Sequence, residues 1–297
     1  MSKDINIQLL QVQDFKIPID FLSDVAFDAE LDARKIKKGE VVESRRKNIV
    51  SPYQISNFSK SPVRLTEFDR AVRNACISEH TAGNEFTTPE RIYRRLGGSY
   101  NLGDDMRKAI MDSIDRLASV RIEIEMDKAQ EKFGYGKGRE SATFKGYLLP
   151  TETLEVKING QPVKSAIHFL KKGVIFAVAD AKDQIITCDQ NLLEAPIRHT
   201  ERGIALNHFL VRRTLEIKGS HEAHKANPRI QPLRKTILFE TMLRKCGMEN
   251  ADRDTRRKVK NITEKILNFL VENGALKSYA FEYVFGDKLH SITLQFQ

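Results

Sequence analysis

An α+β fold in two successive modules is the expectation from three observations. The first is a two-faced helix near the end of the chain. Across Asp252 to Leu270, the residues Val259, Ile262, Ile266, Phe269 and Leu270 form one apolar stripe, while Arg253, Arg257 and Lys260 fall together on the opposite face. The second is a hairpin pattern directly after that helix. Asn273-Gly274 stops the helix, and Leu276 to Phe285 and Leu289 to Phe296 read as two strands joined at Gly286-Asp287-Lys288. The third is an earlier stretch of the same order, with three helix starts followed by alternating strand residues. Helix, then hairpin, is the second half of a winged helix. The order helix, helix, helix, wing, read twice, therefore predicts two winged-helix domains in tandem, the first with an inserted β-hairpin.

Each element is predicted from local signals. Residues 1–60 are expected to form a basic, partly disordered N-terminal arm. Apolar clusters at Ile5 to Leu10 and Phe15 to Leu22 precede a basic run with Arg34, Lys35, Lys37, Lys38, Arg45, Arg46 and Lys47, without sustained periodicity. The first winged-helix domain spans 61–195. Thr66-Glu-Phe-Asp69 is a capping-box start, Thr87-Thr-Pro-Glu90 a second start ended by Gly97-Gly98, and Asp104-Asp105 a third, with Met106, Ile110, Ile114 and Leu117 on one side. Val120, Ile122, Ile124 and Met126 alternate, and Phe144 to Leu149 return after a long basic wing containing Lys128, Lys132, Lys137 and Arg139. Asn159-Gly160 between alternating residues marks the inserted hairpin. Val174 to Val178 and Ile185 to Thr187 read as further strands. The second domain spans 196–297. Its first helix runs from Thr200-Glu201 to about Ile217, its second from Arg234 to Cys246, and the cationic helix and final hairpin come after them.

Composition agrees. Lys plus Arg is 49 against Asp plus Glu at 40, a formal +9, which favours polyanionic partners. The length of 297 residues allows roughly two domains, each able to bury a core. No run of about 18 apolar residues occurs, and the N-terminus lacks a basic-then-apolar order, so a cytoplasmic protein without membrane contact is expected. Cys76, Cys188 and Cys246 are odd in number, far apart and set in apolar-periodic segments, and are expected as reduced core residues.

Leu65-Thr-Glu-Phe-Asp-Arg-Ala-Val72, Ala82-Gly-Asn-Glu-Phe86-Thr-Thr-Pro89, Ile114-Asp-Arg-Leu117 and Val120-Arg-Ile122 resemble the opening module of the tandem winged-helix replication initiators of bacterial plasmids and integrative elements. The resemblance covers roughly residues 61 to 297. It implies a sequence-specific double-stranded DNA-binding protein, with the second module as principal reader of repeated origin sites and the first supporting dimerisation and backbone contact. It further implies a host helicase or loader and a second copy of the chain as partners, and no cofactor. A transcriptional regulator of the same kind of element, and a winged-helix protein-interaction adaptor, remain the alternatives.

The charges fit that division of labour. Opposite the apolar stripe of the first module's third helix lie Asp105, Lys108, Asp112 and Asp115, with Arg116 at the edge, a face that phosphates would repel. The final helix instead offers Arg253, Arg257 and Lys260, with Arg256 on the flank, and Arg pairs bidentately with guanine in the major groove. Lys225, Arg229, Arg234 and Lys235 form a basic approach segment, and Lys137, Arg139 and Lys288 belong to the two wings. Catalytic chemistry is not expected. No His-x-His nickase signature occurs, and His221 and His224 sit in a segment read as a loop without a third metal ligand. Gly134-Tyr-Gly-Lys-Gly138 lacks the spacing of a phosphate loop and is expected as a wing tip.

Overall fold

A computed structural model describes the backbone of three strands at residues 14–18, 41–44 and 53–57, and then residues 65–99, 101–127, 141–158, 161–173, 176–177, 185–284 and 288–297. The elements are β1 (Asp14–Pro18), β2 (Val41–Ser44), β3 (Tyr53–Asn57), α1 (Glu67–Thr81), β4 (Phe86–Thr87), α2 (Pro89–Arg95), α3 (Asp104–Ser119), β5 (Arg121–Asp127), β6 (Ser141–Tyr147), β7 (Thr151–Ile158), β8 (Gln161–Phe169) and β9 (Ile185–Asp189). A short 3-10 turn (Gln190–Leu193) leads to α4 (Glu201–Ala226), β10 (Thr236–Leu238), α5 (Phe239–Lys245), α6 (Arg253–Glu272), β11 (Ser278–Val284) and β12 (Lys288–Gln295). The architecture is mixed α+β with small antiparallel sheets of order β1-β9, β2-β3-β5-β6, β4-β8-β7 and β10-β12-β11.

The helix starts read from the sequence are present. The Thr66 amide donates to the Asp69 carboxylate at 2.8 Å, and Thr88 Oγ1 accepts from the Arg91 amide ahead of α2 with Pro89 in its first turn. β7 and β8 pair antiparallel down to Ile158 opposite Gln161, as the inserted hairpin requires, while Asn159 and Gly160 lie outside the described residues. Gly97 closes α2 at a φ of +87°, where a Cβ would stand 2.0 Å from the Leu193 carbonyl oxygen, so only glycine fits.

α1 lies at the centre. Every residue from Glu67 to Glu79 is buried, including its charged ones, and each buried carboxylate fastens a different helix. Asp69 accepts from Ser113 Oγ and Arg116 Nη2 of α3, both at 2.7 Å. Glu79 accepts from Arg91 Nη2 and Arg95 Nε of α2, again at 2.7 Å. Glu67 takes Arg212 of α4 through Nε at 2.9 Å and Nη2 at 3.1 Å. Arg212 also donates to Glu216 at 2.6 Å. Charges this far from water persist only when paired and hydrogen-bonded, so these contacts dictate how the helices are arranged. A single apolar cluster runs through both halves of the chain, from Leu65 in front of α1 to Leu294 on β12, with α4 packed on both α1 and α6.

Several elements differ from expectation. α4 continues past Ile217 to Ala226, because the connection after it folds back onto its polar last turns: His221 Nε2 lies 3.0 Å from the Leu233 carbonyl, His224 Nδ1 lies 2.6 Å from that of Ile230, and Ser220 Oγ accepts from the Leu233 amide. The helix expected from Arg234 begins instead as β10, since Thr236-Ile-Leu238 pairs with Ser291 to Thr293 before α5 starts. Residues 176–177 are helical where the sequence predicts a strand. The order helix, strand, helix, helix, hairpin occurs twice, but its strands pair differently. β10 joins the final hairpin, whereas β4 joins β8 of the inserted hairpin and β5 pairs with β3 and β6.

The segment assigned to the arm contributes three strands: β1 pairs along its length with β9, and β2 and β3 extend the sheet at β5. All three cysteines are free and buried. Among the described residues no helix is long and apolar enough to cross a membrane.

Candidate nucleic-acid interface

The local sequence fixes how α6 is presented. Asp252 caps it, accepting from the Thr255 amide at 2.7 Å, and the Thr255 side chain, followed by this amide, holds the Asp252 carboxyl below the usual range. Val259, Ile266, Leu267 and Leu270 are buried, with Ile262 and Phe269 partly so, as the apolar stripe requires. Anchoring that side turns Arg253 and Arg257 outward. Arg257 is 72% exposed, with Asp254 at 3.5 Å as an ion-pair neighbour. Lys260 leans toward the hairpin, with its Nζ 5.0 Å from the centre of the Tyr283 ring and 5.7 Å from that of Phe281.

Arg253, Arg256, Arg257 and Lys260 line one open groove of about 790 Å³ together with Lys288 at the start of β12, over an apolar floor that includes Phe239 and Leu289. The helix and the hairpin thus contribute cations to one surface. Among the described residues, Asp254 also lines the groove, and Glu240, the second residue of α5, stands against two of its cations. Arg256 takes a different part from the flanking DNA contact expected of it. Its Nη1 and Nη2 donate to the two carboxylate oxygens of Glu240 at 2.6 and 3.0 Å, and its Nε donates to the Ala251 carbonyl at 3.0 Å. Three of its five donors are therefore engaged by the protein, and it clamps α5 to α6. Lys288 Nζ lies 3.4 Å from Glu240 Oε1. With the Arg256 hydrogen bond as the largest cause, the Glu240 carboxyl is held below its ordinary range.

The basic approach segment is placed elsewhere. Lys225 sits in the last turn of α4, and Arg229, Arg234 and Lys235 lie in the connection from α4 to β10; all four are exposed and none is among the residues lining the groove. Lys137 and Arg139, with the glycine cluster beside them, lie outside the described residues. His221 and His224 stand on α4 rather than in a loop, with ring nitrogens against backbone carbonyls. Among the described residues no group of three or more His, Cys, Asp or Glu side chains is placed to hold a metal ion.

On α3 the acidic face is largely exposed. Arg116, expected at its edge, turns to Asp69, while Lys108 is paired with Asp112 at 2.8 Å and Asp105 and Asp115 are exposed. Glu240 is not singled out by sequence reasoning. It sits 16 residues before Arg256, a separation that no helical or strand period links.

No family model matches the chain, and no curated protein matches it. Among solved structures it is similar to a crystal structure of RctB domains 2-3, at 11% identity and a TM-score of 0.44, with 89% of this chain and 93% of that chain covered. It is likewise similar to a selenomethionine form of domain 2 and domain 3 of RctB, at 13% identity and a TM-score of 0.41, with 88% and 93% covered.

Proposed function

We propose that the chain is a non-enzymatic, sequence-specific double-stranded DNA-binding protein whose second module is a winged helix. α6 enters the major groove and the β11–β12 hairpin lies beside it. The observation that carries this reading is the joint placement of Arg253, Arg257, Lys260 and Lys288 on one open groove, outside a helix whose other side is locked in the core. A helix with side chains about 10–12 Å across fits a major groove about 12 Å wide. Arg257, 72% exposed, suits a guanine edge, while Lys260 suits a phosphate. The opposite charge of α3 supports assigning sequence reading to the second module alone.

The biological form we favour is a replication initiator that binds repeated origin sites of a plasmid or integrative element, supported by the resemblance of residues 65 to 122 to such proteins. Binding energy would there serve to distort DNA or recruit host factors, without chemistry by this chain. Selection of bound duplexes from a random pool, followed by selection from the neighbourhood of the gene, tests both levels. Enrichment of one motif that recurs as direct repeats is expected. A motif found as one inverted repeat over the promoter would replace initiation by regulation, and no enrichment of any duplex would overturn DNA reading.

A further inference from the structure

Glu240 is an acid set against the cations of a groove proposed to bind a polyanion. Its carboxylate receives Arg256 bidentately and has Lys288 Nζ at 3.4 Å, so one acid from α5 engages a cation from α6 and a cation from the hairpin. Glu240 is 50% exposed and Lys288 63% exposed, and ion pairs so open to water add little to stability. The Arg256 pair, bidentate and 28% exposed on the arginine side, clamps α5 to α6, but holding the fold together does not account for the approach of Lys288. A guanidinium held through both Nη atoms by one carboxylate has few donors left for a phosphate, and that carboxylate repels phosphate from the lysine beside it.

We propose that Glu240 is a specificity-determining residue of this groove: it withholds Arg256 and Lys288 from phosphates. The proposal rests on the groove binding DNA. Phosphate contacts give affinity without sequence information, whereas base contacts discriminate. An acid that removes two cations from the first class raises the share of binding that depends on base edges. It lowers affinity for arbitrary DNA more than for a site that satisfies Arg257.

The test is the salt dependence of binding to a mixed-sequence duplex of about 20 base pairs, where each added phosphate contact steepens the log–log slope by about 0.9. Glu240→Gln removes the charge but keeps the length and one acceptor oxygen for Arg256. It is expected to bind the mixed duplex several-fold more tightly at low salt, with a slope steeper by about one to two units. Lys288→Met should leave the slope of the otherwise native protein unchanged and lower that of the Glu240→Gln protein by about one unit.

An unchanged slope in Glu240→Gln, weaker binding to every duplex, or an equal effect of Lys288→Met in both backgrounds would overturn the withholding role. If Glu240→Gln lowers the thermal midpoint, Lys288→Met alone decides, since a slope reduced by one unit in the native background shows that Lys288 is already available to phosphate. A native protein with no affinity for duplex at low salt would instead remove the DNA-binding reading itself.

Discussion

Arg212 holds the two halves of the chain together, and replacing it by Met should be among the most damaging changes away from the groove. Its guanidinium is 3% exposed and bridges Glu67 of α1, also 3% exposed, and Glu216 of α4. Methionine keeps much of the volume but takes from the buried Glu67 carboxylate a two-pronged hydrogen-bonded partner, with Arg70 at 3.8 Å among the ion-pair neighbours that stay. Removing one partner of a buried pair costs about 3–5 kcal/mol, most of it the penalty of an uncompensated buried charge. For a 297-residue chain unfolding with about 2.1 cal/mol/K per residue, that loss lowers the thermal midpoint by about 5–8 °C. Calorimetry of the native protein, Arg212→Met, Glu67→Gln and the double variant gives the comparison. One transition is expected throughout, with the double variant recovering about 2 kcal/mol or more of the summed single losses. A shift under about 1 °C, or two separate transitions of which one moves, would refute the view that this pair couples the halves.

His208, buried on α4 with Nε2 3.4 Å from the Leu96 carbonyl, has its pKa pushed down by burial to about 4. The unfolded chain therefore binds a proton at higher pH than the folded one. Stability is fully present above about pH 6.5 and falls as the pH drops toward 4, by about 2 kcal/mol between pH 7 and pH 5; denaturant titrations should show a smaller loss in His208→Gln, and an equal loss would refute the assignment. Gly97→Ala should cost more than about 2 kcal/mol, adding left-handed strain to the clash with the Leu193 carbonyl, and a neutral effect in a melt would contradict the geometry at that turn. Reversing Asp112 and Asp115 of α3 to Lys should leave the selected DNA motif unchanged. An altered motif would place α3, not α6, against the bases.

The legible parts of the fold are those specified by residues close in sequence. α6 shows itself through Asp252, the spacing of Val259, Ile266 and Leu270, and Gly274 at a φ of +70° just beyond its end. The inserted hairpin shows itself through Asn159-Gly160 alone. Illegible parts depend on distant partners. β10 is three residues long and exists because β12 pairs with it, so its Thr-Ile-Leu reads locally as part of the helix beside it. The last turns of α4 carry no apolar stripe and are covered by their own connection through His221 and His224.

α1 reads as an amphipathic helix, yet its charged side is buried against Arg91, Arg95, Arg116 and Arg212, which no local period announces. At the candidate site the same contrast holds. The outward face of Arg253, Arg257 and Lys260 is dictated by helical geometry. The engagement of Arg256 by Glu240, and the approach of Lys288 to the same groove, depend on how α5 and β12 pack against α6.

Affinity of the native and Arg257→Ala proteins for a selected site and for its scrambled duplex, each at several salt concentrations, tests the central claim most directly. Arg257 is 72% exposed, so its removal should change folding stability by under about 0.5 kcal/mol. If it reads a guanine edge, the selected site loses about 1–3 kcal/mol, with preference relaxed at one base pair and the scrambled duplex little affected. Native affinity on both duplexes in the Arg257→Ala protein would contradict the claim that α6 is the reading helix.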